Sequence, residues 1–402
     1  MMSQIQNSGQ GKTIAYVGTY GDDKDPGGIF AIEFNTAGEL FAPVDRTSSP
    51  KLAGYLSFDE KTQTLYSVDE RKNDGRGPVE PAACVMAFRV DPLTGALSFL
   101  DSHIAPGPRP TYISLDSQNR RLATANHGDF EHIEKVVFKD GQWISEYIYD
   151  DSAVILYSLN EDGKIVGISD LVVLEGHGTD PNHSPQAGGH AQASPHAHCA
   201  VFSPDARHLL VCDKGTDRVY VYAVNNTLEL ISSYQFPAET APRHLEFAGS
   251  DRLYMTCEIS SELVSMSFDT VSGELVLLDG VSTVAAGFSG LNEPAEIRIH
   301  PNGKFIYLNN RGEDSLAWFS VSANGKLERL GHVKLAKSIH PGLAARNFKF
   351  SPSGEYILVA DRPDNCIKAY IVNSEDGSLN YKSEFKVPQP AYIEFVKLNK
   401  RG

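Results

Sequence analysis

Short runs of apolar and β-branched residues alternate with clusters of Gly, Pro, Asn and Asp along almost the entire chain. Runs of about four to eight such residues, bounded by turn-forming residues, are typical of β-strands. The spacing of about three to four residues that marks one face of an amphipathic helix is nearly absent. The pattern therefore predicts an all-β protein.

One phrase recurs along the chain: an apolar run, a turn such as SPDARH or SPSGEY, and a second apolar run that ends in a polar residue. Seven of these second runs are present: AYVGTY (15–20), LYSVDE (65–70), LATANH (122–127), LLVCDK (209–214), LYMTCE (253–258), IYLNNR (306–311) and ILVADR (357–362). Recurrence at a spacing of roughly fifty residues indicates a repeat architecture. We therefore predict a seven-bladed β-propeller built from four-stranded antiparallel blades.

The two ends of the chain complement each other. The repeat at the N-terminus starts with a run of the second kind, 15–20. At the other end of the chain, AYIEFV (391–396) is a run of the first kind that no second run follows. One blade must then combine both ends, and 391–396 should pair beside 15–20. Closing the ring in this way removes the exposed sheet edge of an open array. We expect a single propeller domain over 13–402, preceded by a disordered tail over 1–12.

The starts of successive second runs are 44 to 57 residues apart, except in the third interval, where they are 87 residues apart. We assign the surplus to an insertion at about 127–198. It contains WISEYIYDD (143–151) and then a Gly-, His- and Pro-rich stretch that is typical of a loop. The insertion ends at a strand that leads into the candidate site. We therefore expect it to border that site and to influence which substrate is accepted.

Charge and composition narrow the classes of partner. The 402 residues carry a net charge of -15, and 41% of them are apolar, which suits a folded chain with a large core. Net negative charge repels nucleic-acid backbones and anionic lipid, so neither partner is expected. The chain shows neither the apolar segment of a signal peptide nor a membrane-spanning stretch, so we expect a cytoplasmic protein. Five scattered cysteines predict reduced, buried thiols.

The polar residues at the strand ends are the candidate functional groups. In an antiparallel blade the start of the first strand and the end of the second lie at the same end of the sheet, so these positions converge on one face. The candidates are His196, His198, Arg243 and Arg346 at first-strand starts, and Asn126, Asp213, Glu258 and Arg311 at second-strand ends. His196 and His198 alternate along one strand, so one should face the site and the other a neighbouring blade or loop.

These residue types favour an anionic ligand. Arginine binds carboxylate or phosphate through two parallel hydrogen bonds, and His and Glu transfer protons near neutral pH. Asn126 and Asp213 have a second interpretation, because propellers also need polar residues at strand ends to satisfy the backbone groups of loops.

Five histidines cluster in and just after the insertion: His177, His183, His190, His196 and His198. Histidines can hold a transition metal, but the spacing of this group is long and irregular for a metal site. We therefore predict no metal. Neither a nucleotide-binding glycine motif nor a serine-nucleophile motif is present, so no cofactor is expected.

Several phrases resemble the seven-bladed propeller lactonases: YVGTY followed by GGIFAIEF, PHAHCAVFSPDARHLLVCDKGTDRV, APRHLEFAGSDRLYMTCE, PAEIRIHPNGKFIYLNNRGEDSLAWFSV and AARNFKFSPSGEYILVADRPDNCIKAYIV. The resemblance covers nearly the whole chain and implies that the catalytic residues are His198, Arg243, Glu258 and Arg311. Two features depart from the family pattern. Ala345 stands where a proline often precedes the last arginine, and the insertion is longer than expected.

The resemblance also implies a small anionic lactone as substrate. The family includes bacterial-type 6-phosphogluconolactonases and a fungal enzyme that opens and closes a carboxymuconolactone ring. We therefore expect hydrolysis of a sugar-acid lactone, with 6-phosphogluconolactone as the leading candidate. Water would be activated by His198 or Glu258, and Arg243 and Arg311 would hold the anion. The remaining candidates would bind substrate: His196, Arg346, Asn126 and Asp213.

Two alternatives stay open. A cycloisomerase would use the same arginines to hold the carboxylates of a muconate, and a non-enzymatic scaffold would bind a protein. An additional arginine such as Arg346 in the pocket would favour a phosphosugar, whereas an apolar planar slot would favour the muconate. An exposed aromatic or apolar patch in place of ionisable groups would favour the scaffold. The sequence indicates no particular oligomeric state.

Overall fold

The computed structural model describes residues 11–73, 79–179, 192–340 and 342–398. Over these ranges the regular structure is entirely β, as the residue pattern predicts. No described helix is long and apolar enough to cross a membrane. The predicted tail, 1–12, lies outside the described residues apart from its last two positions.

The strands are numbered in chain order: β1 Thr13–Thr19, β2 Gly28–Phe34, β3 Phe41–Thr47, β4 Leu56–Asp59, β5 Thr64–Asp69, β6 Cys84–Val90, β7 Leu97–Ile104, β8 Pro110–Asp116, β9 Arg121–Asn126, β10 His132–Lys139, β11 Gln142–Tyr149, β12 Ala153–Leu159, β13 Ile165–Val173, β14 Ala197–Phe202, β15 His208–Asp213, β16 Arg218–Val224, β17 Leu228–Gln235, β18 Pro242–Phe247, β19 Arg252–Cys257, β20 Glu262–Phe268, β21 Leu275–Ser282, β22 Glu293–Ile299, β23 Phe305–Arg311, β24 Ser315–Val321, β25 Leu327–Lys334, β26 Asn347–Phe350, β27 Tyr356–Asp361, β28 Cys366–Val372, β29 Leu379–Lys386 and β30 Pro390–Lys397.

Seven four-stranded antiparallel sheets form the blades of a β-propeller, which confirms the predicted fold. From the inner strand outward, blades one to seven are: β30-β1-β2-β3, β4-β5-β6-β7, β8-β9-β12-β13, β14-β15-β16-β17, β18-β19-β20-β21, β22-β23-β24-β25 and β26-β27-β28-β29. The second strands are almost wholly buried because they pack against neighbouring blades on both faces, which explains their continuous apolar runs.

The C-terminal strand closes the ring. β30 pairs antiparallel with β1, so that Ile14 lies opposite Val396 and Tyr16 opposite Glu394. The pairing predicted for 391–396 is therefore confirmed, over the slightly longer span Pro390–Lys397. Both ends of the chain meet in the first blade, and its inner strand is not left as an exposed edge.

A tyrosine near the start of several second strands links one blade to the next. Tyr16 donates its hydroxyl hydrogen to the carbonyl oxygen of Gly95 at 2.6 Å, and Tyr307 donates to the carbonyl of Gly377 at 2.6 Å. Each glycine lies in the turn between the third and fourth strands of the following blade, with φ of 80° and 75°. Glycine adopts these angles without strain. The repeated contact satisfies a buried hydroxyl and fixes the angle between blades.

The expected insertion at about 127–198 needs correction. Ala153–Leu159 and Ile165–Val173, inside that range, are the third and fourth strands of the third blade. The blade needs both strands, and the run AVILYSL supplies the buried side chains of one of them. The extra residues therefore form two separate pieces: a β10–β11 hairpin with its connections, and the stretch that follows β13. Residues 180–191 of the second piece lie outside the described residues.

The β10–β11 hairpin leaves the third blade at the end of β9 and pairs with no other strand among the described residues. It exposes large apolar side chains, including Val136 at 75% and Trp143 at 72% of their full accessibility. Phe138 packs on Trp143 across the two strands, with ring centroids 5.1 Å apart. The hairpin projects from the blade face at which the candidate site lies.

Candidate active site

A cavity of about 220 Å³ lies where the second strands of several blades end. Its wall is made by fourteen residues: Glu70, Arg109, Thr111, His127, Asp129, Phe130, His198, Lys214, Arg243, Glu258, Arg311, His340, Gly342 and Arg346. All four residues assigned as catalytic from the sequence are among them, and so is Arg346. The convergence expected from strand geometry is therefore present.

One position of the repeat supplies most of the ionisable groups. The final residues of the second runs in five blades all line the cavity: Glu70, His127, Lys214, Glu258 and Arg311. The preceding residue of each run points to the opposite side, because side chains alternate along an extended chain. In these five blades the sixth position of the run is thus the position that faces the site.

Asn126 and Asp213 occupy the fifth position and do not line the cavity. Asn126 Nδ2 donates to the carbonyl oxygens of Pro106 and Gly107 at 3.0 and 3.1 Å. The Asp213 carboxylate accepts the backbone N–H of His196 at 2.7 Å. Both side chains are fully buried against loop backbone. Their expected substrate-binding role is corrected to a structural one, and the residues that face the cavity are the next ones, His127 and Lys214.

Glu258 is surrounded by three cations. Lys214 Nζ lies 2.5 Å from its Oε1, while Arg243 Nε and Arg311 Nη2 lie 2.9 and 2.8 Å from its Oε2. All four side chains are at least nine-tenths buried. The three cations come from three successive blades. Their shared contact with one carboxylate fixes their relative positions. Burial lowers the pKa of Lys214, and Glu258 opposes that shift.

Arg243 lines the cavity and has a hydrogen-bond donor that is not used. Its Nη1 is buried and has no hydrogen-bond partner among the described residues. Burial, reinforced by Arg311, lowers the pKa of its guanidinium to about 10, which still leaves it charged at neutral pH. A buried donor without a partner is rare in native proteins and requires a reason. An oxygen atom of a bound ligand would satisfy it.

The two histidines of the HxH motif point in different directions, as predicted. His198 lines the cavity. His196 stacks on His127 with ring centroids 4.6 Å apart and bonds through Nδ1 to the His127 carbonyl at 3.0 Å. His196 therefore supports the wall behind His127. Burial, with Arg243 and His244 adding to it, holds the pKa of His198 well below its usual range, so its ring is neutral at neutral pH.

The opposite side of the cavity has a looser arrangement. Arg346 Nη2 lies 3.1 Å from Glu70 Oε2 and also donates to the hydroxyl oxygen of Tyr20, which in turn donates to Glu70. A Cβ atom on Gly54 would clash with Glu70 Oε2, so a larger residue there would displace this carboxylate. Burial raises the pKa of Glu70 to about 7. Arg109 is 44% exposed and pairs with Asp129 at 3.0 Å.

The charge balance of the lining favours an anion. Five cationic side chains face the cavity against three carboxylates: Arg109, Lys214, Arg243, Arg311 and Arg346 against Glu70, Asp129 and Glu258. Phe130 is the only large apolar side chain in the wall of this described cavity. The lining therefore offers hydrogen-bond donors to an anionic, polar ligand.

The described residues hold no group of three or more His, Cys, Asp or Glu side chains arranged for a metal ion. His177 is exposed, and it bonds to the Gly178 carbonyl. His183 and His190 lie outside the described residues.

Comparison with known proteins finds relatives along the whole chain. The model of the family described as lactonase, 7-bladed β-propeller, matches residues 14–395. A 6-phosphogluconolactonase of Bacillus subtilis is 26% identical over 395 residues, covering 96% of this chain and 99% of that protein. A protein of the same name from Formosa agariphila is 27% identical over 391 residues, covering 94% and 96%. The solved structure of a periplasmic gluconolactonase from Pseudomonas aeruginosa has a TM-score of 0.80 at 24% identity, covering 96% and 100%.

Proposed function

The chain belongs to the seven-bladed β-propeller lactonase family, and from that premise we propose that it hydrolyses an anionic sugar-acid lactone, with 6-phosphogluconolactone as the leading substrate. One observation carries the proposal: His198, whose ring is neutral, lines the same polar cavity as Arg243, whose guanidinium has a donor, Nη1, without a hydrogen-bond partner among the described residues. One group can stabilise negative charge, and the other can take a proton from water.

In the proposed reaction the lactone carbonyl oxygen lies against Arg243. His198 Nε2 takes a proton from water as the water oxygen bonds to the carbonyl carbon, and negative charge develops on the carbonyl oxygen. A single donor to such an oxyanion contributes about 3 kcal/mol to lowering the barrier. The bond between the carbonyl carbon and the ring oxygen then breaks. The ring oxygen receives the proton from His198, which yields the hydroxy acid.

Glu258 is the weaker candidate for the base. Both of its oxygens are engaged by Lys214, Arg243 and Arg311 within 2.9 Å. Proton transfer to this carboxylate would remove the negative charge that holds three buried cations together, which is unfavourable. We therefore assign Glu258 the role of positioning the cations and His198 the role of general base.

The other side of the cavity supports a phosphorylated substrate. Arg346 lines the cavity, which is the condition set above for a phosphosugar. Its side chain is 19% exposed, and Arg109 and His340 lie on the same cavity wall, so a dianionic group could reach several donors. Among the described residues, the lining contains no apolar planar slot of the kind that a muconate would prefer.

A panel of lactones tests the proposal. Ring opening of 6-phosphogluconolactone, gluconolactone and carboxymuconolactone would be followed with and without a chelator, beside the His198→Asn variant. We expect enzyme-dependent hydrolysis of 6-phosphogluconolactone that is unaffected by chelation and nearly lost in the variant. Turnover of carboxymuconolactone alone would support the cycloisomerase, and no turnover of any lactone would reject the enzyme function.

A further inference from the structure

A chain of buried polar groups leads from His198 away from the cavity. His198 Nδ1 lies 3.1 Å from His244 Nε2, and His244 Nδ1 lies 3.4 Å from Glu296 Oε1. The three residues come from the inner strands β14, β18 and β22 of consecutive blades, and each is at most 7% exposed. Neither His244 nor Glu296 lines the cavity of about 220 Å³, so neither would touch a substrate bound there.

The far end of this chain is a fixed negative charge. Asn347 Nδ2 donates to Glu296 Oε2 at 2.7 Å, and Arg298 Nη2 lies 3.3 Å from Oε1. Burial alone would raise the pKa of Glu296, but Arg298 and His244 lower it to about 2. Glu296 is therefore ionised over the whole range in which the protein works, and an ionised carboxylate can only accept hydrogen bonds.

The ionised Glu296 determines which ring nitrogens of His244 and His198 carry a proton. Burial and Arg243 lower the pKa of His244 to about 4, so its ring carries one proton at neutral pH. Because Glu296 only accepts, that proton lies on His244 Nδ1, and His244 Nε2 becomes an acceptor. His198 Nδ1 must then carry the proton that is donated to His244. The remaining nitrogen of His198, Nε2, is left unprotonated.

The other groups around the two rings support this arrangement. Arg243, Lys214 and His127 also act on His198, and all of them disfavour its protonation. The edges of Tyr55 and Tyr112 pack against His244 at centroid distances of 6.2 and 5.2 Å. Burial raises the pKa of both phenols well above the usual value, so both stay neutral.

We propose that His244 and Glu296 are positioning residues, which hold His198 as the Nδ1–H tautomer with an unprotonated Nε2 toward the cavity. The proposal deepens the proposed function, on which it rests for the water that gives up its proton. The tautomer of the resting protein does not depend on any substrate. The two ideas can therefore fail separately.

The direct test is the tautomer of His198 in protein labelled with ¹⁵N-histidine. Two-bond ¹⁵N–¹H correlation spectra distinguish a protonated Nδ1 from a protonated Nε2, and the His198 signals are assigned by their loss in His198→Asn. We expect the Nδ1–H tautomer in the wild-type protein at neutral pH. Finding the Nε2–H tautomer would overturn the proposal whether or not any lactone is hydrolysed.

Two variants complete the test. His244→Phe keeps the ring but removes both nitrogens, and Glu296→Gln keeps the shape but removes the charge. In each folded variant we expect His198 to shift toward the Nε2–H tautomer, and kcat to fall about ten- to a hundredfold with KM little changed, the usual cost of losing a group that orients a functional histidine. His208→Phe is the matched control, since His208 is a buried histidine outside the cavity wall that packs on Phe268, and it should change neither readout.

If His244→Phe and Glu296→Gln lose activity while the His198 tautomer stays unchanged, His244 and Glu296 are packing residues and the proposal is wrong. If wild-type protein hydrolyses no lactone but shows the predicted tautomer, the proposed function fails and the positioning chain stands.

Discussion

The cavity has two walls of different construction. The first wall consists of His198, Lys214, Arg243, Glu258 and Arg311 from blades four to six, and its charged side chains are at most 7% exposed. The second wall consists of Glu70, Arg109 and Arg346 from blades two, three and seven. There Arg346 is 19% and Arg109 is 44% exposed.

The difference in burial separates two tasks. Three buried cations around one buried carboxylate can remain only in a fixed arrangement, because the carboxylate and the cations offset each other's lost hydration. A fixed arrangement suits groups that must meet a developing charge within a fraction of an ångström. The second wall keeps partly hydrated arginines that can adjust to a substrate. We therefore expect changes in the first wall to affect kcat and changes in the second wall to affect KM.

The largest effect is expected from His198→Asn. The amide keeps some polarity but cannot accept a proton, so kcat on the best lactone should fall by about two to four orders of magnitude, the range of general base catalysis. Steady-state kinetics measure this loss, and circular dichroism checks the fold. The matched control is His196→Asn, two residues away and facing the loop, which should cost far less. Equal losses in the two variants would contradict the assignment of His198 as the base.

Glu258→Gln should damage the first wall as a unit. The amide leaves Lys214, Arg243 and Arg311 buried without their shared counter-charge, and breaking such a buried cluster costs about 3 kcal/mol or more of unfolding free energy. Urea denaturation measures the change. The kcat of Glu258→Gln should fall less than that of His198→Asn. The reverse ranking, in a folded variant, would make Glu258 the base, and unchanged stability would show that the four charges do not act as one cluster.

Much of the first wall could be predicted from the repeat. A residue's place in the blade determines the face on which it lies, so His198, Arg243, Glu258 and Arg311 were expected together. Lys214 is not among the predicted residues, because the prediction places Asp213 at the strand end of LLVCDK. A slip of one residue along a strand moves the side chain to the other face. Comparing the sixth letters of the runs would have found it, because Lys214 occupies the position of Glu258 and Arg311.

The second wall and the third blade were less predictable for a different reason. Arg109 lies in the connection that leads into β8, and the conformation of such connections depends on tertiary contacts. Asp129 and Phe130 lie between β9 and the β10–β11 hairpin, a connection that has no equivalent in the other blades. The β10–β11 hairpin likewise interrupts the third blade between its second and third strands, so the interval in the repeat showed the presence of extra residues but not their division into two pieces. The pairing of Arg346 with Glu70 joins blades seven and two, which no local pattern contains.

Arg346→Gln should affect binding of the charged substrate alone. Losing a charged hydrogen-bond donor to phosphate costs about 1.5 kcal/mol or more, so KM for 6-phosphogluconolactone should rise at least roughly tenfold. The kcat value should stay nearly constant, since Arg346 lies in the second wall. Uncharged gluconolactone is the internal control, and its KM should not change. A similar rise in KM for both lactones would show that Arg346 shapes the cavity and does not bind the phosphate.

The smallest and most specific effect is expected from Glu70→Gln, as a change in pH dependence. Burial raises the pKa of Glu70 from 4.5 to about 7 in the folded protein, so the native state holds this proton more tightly than the unfolded chain. The stability that this proton contributes is complete below about pH 4.5 and is lost as the pH rises through about 7. The glutamine variant lacks this loss. Urea denaturation between these pH values should therefore show the variant gaining stability over wild type as the pH increases.

The same ionisation should weaken anion binding in the wild-type protein. Above about pH 7 the charged Glu70 partly neutralises Arg346, which lies 3.1 Å away. We therefore expect the KM of the wild-type protein for the phosphorylated lactone, divided by the KM of Glu70→Gln, to rise a few-fold from acid to alkaline pH. Comparing the two proteins at each pH cancels the ionisation of the substrate's own phosphate. The kcat ratio should remain flat, because the titrating group belongs to the second wall. A KM ratio independent of pH would place the phosphate away from Glu70 and Arg346, and a kcat ratio that follows the same curve would show that the two walls do not act separately.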